Sequence, residues 1–283
     1  MRLFPNSQYK TPAQLRQMVA AGRITSAMLD AVAATIRPGI TTLDLDAAAE
    51  AEMLRHGAKS NFKMVKGYHH TTCVSVNEQV VHGIPGSLVL QPGDIVSVDV
   101  GAEFDGWNGD SARTFVIPDP SRRELVAHRE ELSRVTETSM WAGIAALATG
   151  SYTRDIGIAI EKYILEHPLS EHGRPAGILR DFVGHGIGRK MHEKPSIFNY
   201  EAGGLGAEIQ PGLCVAIEPM MTAGTEQVVI EEDDWTISTT DGSMGSHWEH
   251  SVAVHDGGIW VLTAADGGAA GLAPFGVVPV PIP

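Results

Sequence analysis

Only two cysteines, Cys73 and Cys214, occur in 283 residues. That count excludes a disulfide framework and a cysteine-built zinc finger. Basic residues are scarce as well. Lys plus Arg is 21 against 34 Asp plus Glu, a net charge of −13. Such an acidic chain has no general attraction for nucleic acid or anionic lipid. No apolar run approaches the roughly 18 residues that a membrane helix needs. The opening segment Met1–Gln14 lacks the apolar core of a signal peptide. The composition is nonetheless globular, with 43% apolar residues. These absences predict a cytoplasmic, single-domain protein of a reducing compartment. Twelve histidines are present, and their placement carries the functional argument.

Helix signals open the chain. Thr11-Pro12-Ala13-Gln14 reads as an N-cap, a proline at N1 and a capping-box glutamine. Leu15, Met18, Val19, Leu29, Val32 and Ile36 follow at helical spacing. A second helix is predicted from Thr41 to about His56, with Gly57 as its C′ glycine. Valine- and isoleucine-rich strands are predicted over 73–81 and 95–104. Asp105-Gly106 is a hairpin turn signal that returns the chain over 107–116. Ser121-Arg122-Arg123-Glu124 reads as a capping box for a helix to about Ala148, followed by a helix over 153–167. Strands are predicted again at 213–217, 227–230, 249–254 and 259–262. The order is thus helix, helix, strands, repeated once.

One echo supports duplication. Leu90–Asp99 aligns without gaps on Ile209–Glu218: in both, Gln-Pro-Gly precedes an apolar strand that runs up to an acid. Related halves would place Asp99 and Glu218 at matching points about an internal pseudo-twofold axis. The segment from Asp266 to Pro283 is rich in Gly, Ala and Pro. It reads as an extended tail, one that could dock on the body, without chemistry of its own.

Four constellations could carry chemistry. Around the Asp105-Gly106 turn, paired positions sum to 211, so Asp99 faces Ala112. Asp110 then lies on the same face as Asp99, diagonally, roughly 7–8 Å away. Two buried acids repel unless a cation or shared protons intervene. Next comes Phe182-Val183-Gly184-His185-Gly186-Ile187-Gly188, with His192 seven residues after His185. Its glycines leave the imidazole unhindered, and their spacing does not fit a dinucleotide loop. Glu218 ends an apolar strand, and Glu249 heads an alternating one. Taken singly, each has a bland reading as an exposed acid or a structural histidine. Together, three or four carboxylates with one or two imidazoles suit a pair of divalent ions such as Mn, Fe, Co or Zn. Such a pair suits hydrolysis. His82, after a strand and before a turn, is a candidate substrate-facing residue. Cys73 with nearby His69 and His70 could suggest a thiolate nucleophile, but sequence neighbours seldom form a dyad and no third orienting group is evident.

These segments resemble the type I methionine aminopeptidases, which share the α+β pita-bread fold with prolidase, aminopeptidase P and creatinase. The resemblance covers about residues 11–263. It rests on Phe182-x-Gly-His185-Gly-Ile-Gly-x-x-x-His192 continuing to Ile197-x-Asn199-Tyr200, and on Val76–Pro85, Val98-Asp99-Val100, Gly109-Asp110-Ser111, Ile217-Glu218-Pro219-Met220 and Trp248-Glu249-His250. It implies two pseudo-symmetric halves of antiparallel sheet flanked by helices, in one domain over 1–265 with a tail over 266–283. It implies metal ligands Asp99, Asp110, His185, Glu218 and Glu249, the second and last bridging two divalent ions (Co, Mn, Fe or Zn). His82 would contact substrate near the scissile nitrogen. His192 would stabilise the oxyanion, and Glu218 would help take a proton from the attacking water. Phe62, Tyr68, Cys73, Met191 and Trp235 would line the methionine pocket, with Met191 standing where family members often carry an aromatic. The implied activity is removal of the initiator methionine ahead of a small second residue, by a metal-bound hydroxide. The implied partners are nascent polypeptide N-termini, with the ribosome a further candidate, no nucleic acid or membrane, and a monomeric state. The lack of a cysteine-rich N-terminal extension is similar to bacterial members. The rivals are a prolidase or aminopeptidase P of the same fold, and a non-catalytic binding module, whose members lose ligands.

Overall fold

The computed structural model describes residues 8–283. Met1–Ser7, half of the segment Met1–Gln14 read for a signal peptide, therefore lies outside the described residues. Helix α1 (Pro12–Thr35) starts at Thr11, whose side chain accepts from the Gln14 amide while Gln14 caps the Thr11 N–H in return. Helix α2 (Thr42–Arg55) repeats that box with Thr41 and Asp44. Strands β1 (Lys59–Ser60), β2 (Thr72–Val76), β3 (Gln79–Val81), β4 (Ile95–Phe104) and β5 (Trp107–Val116) complete the first half. In the second half come α3 (Arg123–Thr149), α4 (Arg154–Glu166), β6 (Gly177–Ile178), β7 (Gly184–Gly186), β8 (Glu193–Ile197), β9 (Cys214–Ile217) and β10 (Met220–Thr222). They are followed by β11 (Val228–Ile230), β12 (Ile237–Thr239), β13 (Gly245–His247), β14 (His250–His255), β15 (Gly258–Val261) and the short α5 (Ala269–Leu272).

All strand pairings are antiparallel. In the first half β4 pairs with β5 on one side and with β1 and β2 on the other. In the second, five strands run in the order β15-β14-β9-β7-β8. Helices α1 and α2 pack Met28, Leu29 and Leu45 against Val96, Val98 and Val100 of β4. Helices α3 and α4 pack Ile144, Ile156 and Ile160 against Val215 and Val252. Among the described residues, no helix is long and apolar enough to cross a membrane.

The echo between the halves is a structural repeat. Gly93 and Gly212 both take positive φ, 89° and 98°, which L side chains rarely adopt. The Gly93 N–H donates to Ile117 O at 2.8 Å and the Gly212 N–H to Val254 O at 2.8 Å. In return Ile117 N donates to Asp94 O, and Val254 N to Leu213 O, each at 2.8 Å. Counting back five residues from Ile117 and Val254 makes Ala112 the equivalent of Glu249. These two residues exchange both backbone hydrogen bonds, at 3.3 and 3.0 Å, so the pseudo-twofold axis passes between them. The side-chain bonds obey the same axis. Ser251 Oγ accepts from Asp110 N and donates to Asp110 O, at 3.0 and 2.8 Å. Thr114 Oγ1 does the same for His247, at 3.0 and 2.8 Å.

Three expectations need correction. The strand over 73–81 is two strands, because Asn77 takes φ 59° and turns the chain. Ser121 does not cap α3: its N–H and hydroxyl both donate to Asp119 Oδ1, and the helix begins at Arg123. The segment after Asp266 is not uniformly extended. Asp266 accepts from the amides of Gly268 and Ala270 and so starts α5. Leu272 is fully buried, and Val280 N donates to Ile259 O at 2.9 Å.

Candidate active site

The hairpin register is the expected one. Asp99 faces Ala112 and Asp110 faces Gly101 across a turn with Asp105 and Gly106 at φ 52° and 77°. Both carboxylates lie at the seam, because Asp110 is fastened to β14 through Ser251 and Ser111 Oγ donates to Glu249 O at 2.7 Å. Strand β7 brings His185 alongside. Its neighbour Gly184 is obligatory there: a Cβ would come within 2.4 Å of Ala216 O. His185 Nδ1 donates to Gly186 O at 2.9 Å, which leaves Nε2 free to act as a ligand. That Nε2 is 3.3 Å from Glu218 Oε1 and 3.8 Å from Asp110 Oδ2. Glu218 follows β9, and Asn199 Nδ2 donates to its carbonyl at 3.1 Å. Glu249 sits in the link between β13 and β14. Donor atoms of Asp99, Asp110 and Glu249 lie within 4.8 Å of one another, as do those of His185, Glu218 and Glu249.

Burial dominates the electrostatics. It pushes Asp99 up to about 7. Asp110, Glu218 and Glu249 are raised well above the ordinary carboxylate range, by burial first and by the neighbouring acids second. His185 is driven down to about 4 by burial, with His192 adding to the effect. Asp99 Oδ1, Asp110 Oδ1 and Glu249 Oε1 are buried without a hydrogen-bond partner. Orphaned acid oxygens facing a neutral imidazole are a cluster that lacks positive charge. The donor set, four carboxylates and one imidazole, therefore fits hard or borderline divalent cations.

A cavity of about 620 Å³ opens onto this cluster. His82, which follows β3 at φ 60°, and His192 both line it. The His192 ring meets that of His185 edge-on at 4.4 Å, and the His82 ring meets Phe182 at 5.8 Å. Burial lowers the pKa of both His82 and His192, so each is neutral near pH 7. One wall is apolar. Phe62, Tyr68 and Cys73 form a buried cluster against which Met191 and Trp235 pack. All twelve residues singled out from the sequence thus line one cavity. His247 lines it too and was not anticipated. Its Nε2 is 3.8 Å from Glu218 Oε2, and burial followed by His82 lowers it to about 3. The pseudo-twofold axis relates it to Asp110. A signal was present, since alternation in this segment puts it on the side of Glu249, two residues on.

The fold and this cluster are those of a pita-bread metallopeptidase: residues 16–256 match the model of metallopeptidase family M24. The chain is 43% identical to methionine aminopeptidase 1 of Mycobacterium tuberculosis over 255 residues, covering 90% of this chain and 94% of that protein. It is 33% identical to the methionine aminopeptidase of Escherichia coli over 90% of this chain and 92% of the other. The methionine aminopeptidase structure from Thermotoga maritima superimposes with a TM-score of 0.82 at 37% identity, over 90% of this chain and 98% of that one. Prolidase from Pyrococcus furiosus gives 0.68 at 20% identity, over 91% and 66%, a likeness of fold alone. The chain belongs to the methionine aminopeptidases of family M24.

Proposed function

We propose that this chain removes the N-terminal methionine from polypeptides whose second residue is small. The observation that carries the reading is the junction of the acid–imidazole cluster with the apolar wall of Phe62, Tyr68, Cys73, Met191 and Trp235 in one cavity. Asp99, Asp110, His185, Glu218 and Glu249 would hold two divalent ions, with Asp110 and Glu249 shared between them. Such ions, when bound, polarise the substrate carbonyl and make water acidic enough to act at neutral pH. The chain's own groups do the rest. Phe62, Tyr68, Cys73, Met191 and Trp235 take the methionine side chain, and polarizable sulfur contacts suit that wall. His192, neutral, donates a ring N–H to the oxygen that gains charge as the carbonyl is attacked. His82 holds the backbone near the scissile nitrogen. Glu218 accepts a proton from the attacking water and passes it toward the leaving amine. The free α-amine of the substrate is held beside the carboxylate cluster. A second residue with a large side chain is excluded by crowding beside the histidines.

The finer assignments follow the same reading. The ions are of the Co, Mn, Fe or Zn type, the enzyme works as a cytoplasmic monomer, and its substrates are nascent chains at the ribosome. The test is release of free methionine from Met-Ala-Ser by protein loaded separately with each of these ions. No release with any of them would overturn the proposal. Faster cleavage of an X-Pro peptide would favour a prolidase-like activity instead.

A further inference from the structure

Helix α2 contributes no residue to the cavity, yet one of its side chains reaches the wall from behind. Asp46 is buried, 4% exposed. Its Oδ1 accepts from Thr71 N at 2.9 Å, Thr72 N at 2.8 Å and Thr72 Oγ1 at 3.0 Å. Its Oδ2 lies 3.2 Å from His70 Nδ1. The other face of Thr72 is held as firmly: Tyr68 Oη donates to Thr72 O at 2.6 Å. A single residue, Thr72, is therefore clamped between a helix carboxylate on its N–H and the pocket tyrosine on its C=O. The Tyr68 ring lies 5.0 Å from Trp235 and 6.4 Å from Phe62. Cys73 is the next residue along, and it pairs with Asp99.

We propose that Asp46 is the positioning residue for side-chain selectivity: it fixes the Tyr68–Cys73 wall and so sets the shape of the methionine pocket. The inference rests on the function proposed above. The reasoning is geometric. Segment 66–71 is a loop with no strand partner of its own, and Gly67 at its head takes φ 93°. Without Asp46 two buried amides and a hydroxyl lose their acceptor together, and such groups do not stay unpaired in an apolar interior. The loop must then shift, and Tyr68 moves with Thr72. The ion ligands sit on β4, β5, β7 and beyond, so a shift of this loop reaches the pocket first.

The test compares Asp46→Ala and Asp46→Asn with the parent enzyme, all loaded with Mn²⁺. Substrates are tripeptides starting with methionine, norleucine and ethionine, each followed by Ala-Ser. For Asp46→Ala the KM for Met-Ala-Ser should rise about tenfold, the scale of one lost charged hydrogen bond. The kcat should change much less, and the preference for methionine over the longer ethionine should shrink at least severalfold. Mn²⁺ titration of metal-free protein should give the parent affinity. Asp46→Asn keeps one acceptor oxygen for Thr71 and Thr72, so it should lie between the two, and it serves alone if Asp46→Ala does not fold. A parent enzyme active on Met-Ala-Ser, with variants of unaltered selectivity, overturns this inference and spares the function. Equal losses of Mn²⁺ affinity and kcat, at constant selectivity, show general damage and also overturn it. A parent enzyme that releases no methionine with any metal ends both.

Discussion

Cys73 stands directly opposite Asp99 in the antiparallel pairing of β2 with β4. One cross-strand pair thus joins the apolar wall to the acid–imidazole cluster, and the rigid sheet fixes the distance between them. The relationship also bears on the thiol. Burial, with the Asp99 charge beside it, pushes Cys73 well above the ordinary thiol range, which favours a protonated thiol in the proposed pocket wall over a nucleophile. Cys73→Ala should retain turnover and lose about tenfold in kcat/KM, the usual scale for trimming a hydrophobic pocket. Steady-state kinetics with Met-Ala-Ser check this. A fall to background would bring back the nucleophilic reading.

His192 and Asp110 lie close enough to share a cation site, but their proposed roles separate on mutation. His192→Ala removes an oxyanion donor and should reduce kcat by about 10²–10³, with metal content near normal. Asp110→Ala removes a shared ligand and should lose bound metal together with activity. Metal analysis by plasma emission alongside the kinetics distinguishes the two. Full activity in His192→Ala would withdraw its assignment.

Metal binding should release protons. Asp99 sits at about 7, and Asp110, Glu218 and Glu249 are held above the ordinary range, so the metal-free cluster retains protons at pH 6 that cations must displace. His185, at about 4, is already neutral and contributes none. The sign follows: binding sheds protons, so affinity rises with pH through this range. For the metal-free protein the same acids bind more protons folded than unfolded, so their contribution to stability falls as pH rises from about 4 toward 7. The neutral His185, His247 and His250 act in the opposite sense: their contribution is lost as pH falls from about 6.5 toward their lowered values. Calorimetric titration with Mn²⁺ in two buffers of different ionisation enthalpy measures the release directly. No proton release at pH 6 would contradict the cluster's electrostatics.

Much of this site was legible because its donors sit beside strong local signals. The Asp105-Gly106 turn alone sets the Asp99–Asp110 register, and the two Pro-Gly turns expose the duplication that relates Asp99 to Glu218. What was hidden depends on contacts distant in sequence. His247 is marked in the sequence only by its alternation with Glu249, and its equivalence to Asp110 needs an axis visible in three dimensions. Asp46 reads as an ordinary helix residue until Thr71 and Thr72 are folded onto it. Ser121 failed as a cap because Asp119, two residues earlier, offered its N–H a stronger acceptor. The split at Asn77 was hidden for a related reason. Asn77 Nδ2 donates to Asp94 Oδ1 at 3.0 Å, and Asn77 Oδ1 accepts from Ile95 N at 3.3 Å. These bonds from the neighbouring strand hold a turn that strand propensity conceals.

The carboxyl-terminal segment behaves as part of the body. Leu272 is fully buried in the cluster that contains Trp141 and Val261, and Arg16 donates to Pro283 O at 2.9 Å. Leu272→Ala should therefore destabilise the protein by about 2–5 kcal/mol. Turnover at 25 °C should be preserved, since no residue after Glu249 lines the cavity. Urea unfolding followed by tryptophan fluorescence measures the loss. A change under about 0.5 kcal/mol, the range of surface substitutions, would show that the segment contributes nothing to the core.

The most exacting test falls on the pseudo-twofold axis. Ser251 Oγ is both acceptor and donor to the backbone of Asp110, so it couples β14 to the hairpin that carries Asp99 and Asp110, two of the proposed ligands. Ser251→Ala leaves a buried amide and a buried carbonyl without partners, which costs about 1–3 kcal/mol per group. Because those groups belong to Asp110 itself, the ligand is freed to move. The variant should show reduced Mn²⁺ affinity as well as a lower urea midpoint, and Ser251→Thr, which keeps the hydroxyl, should recover the affinity if its extra methyl is accommodated. A control at a buried hydroxyl away from the axis separates stability from coupling. Thr136 Oγ1 donates to Leu132 O within α3 at 2.8 Å, so Thr136→Val should lower the midpoint and leave Mn²⁺ binding alone. If the two variants lose the same stability and the same metal affinity, the seam does not act as a coupling between the halves, and the ligand positions are set within each half alone.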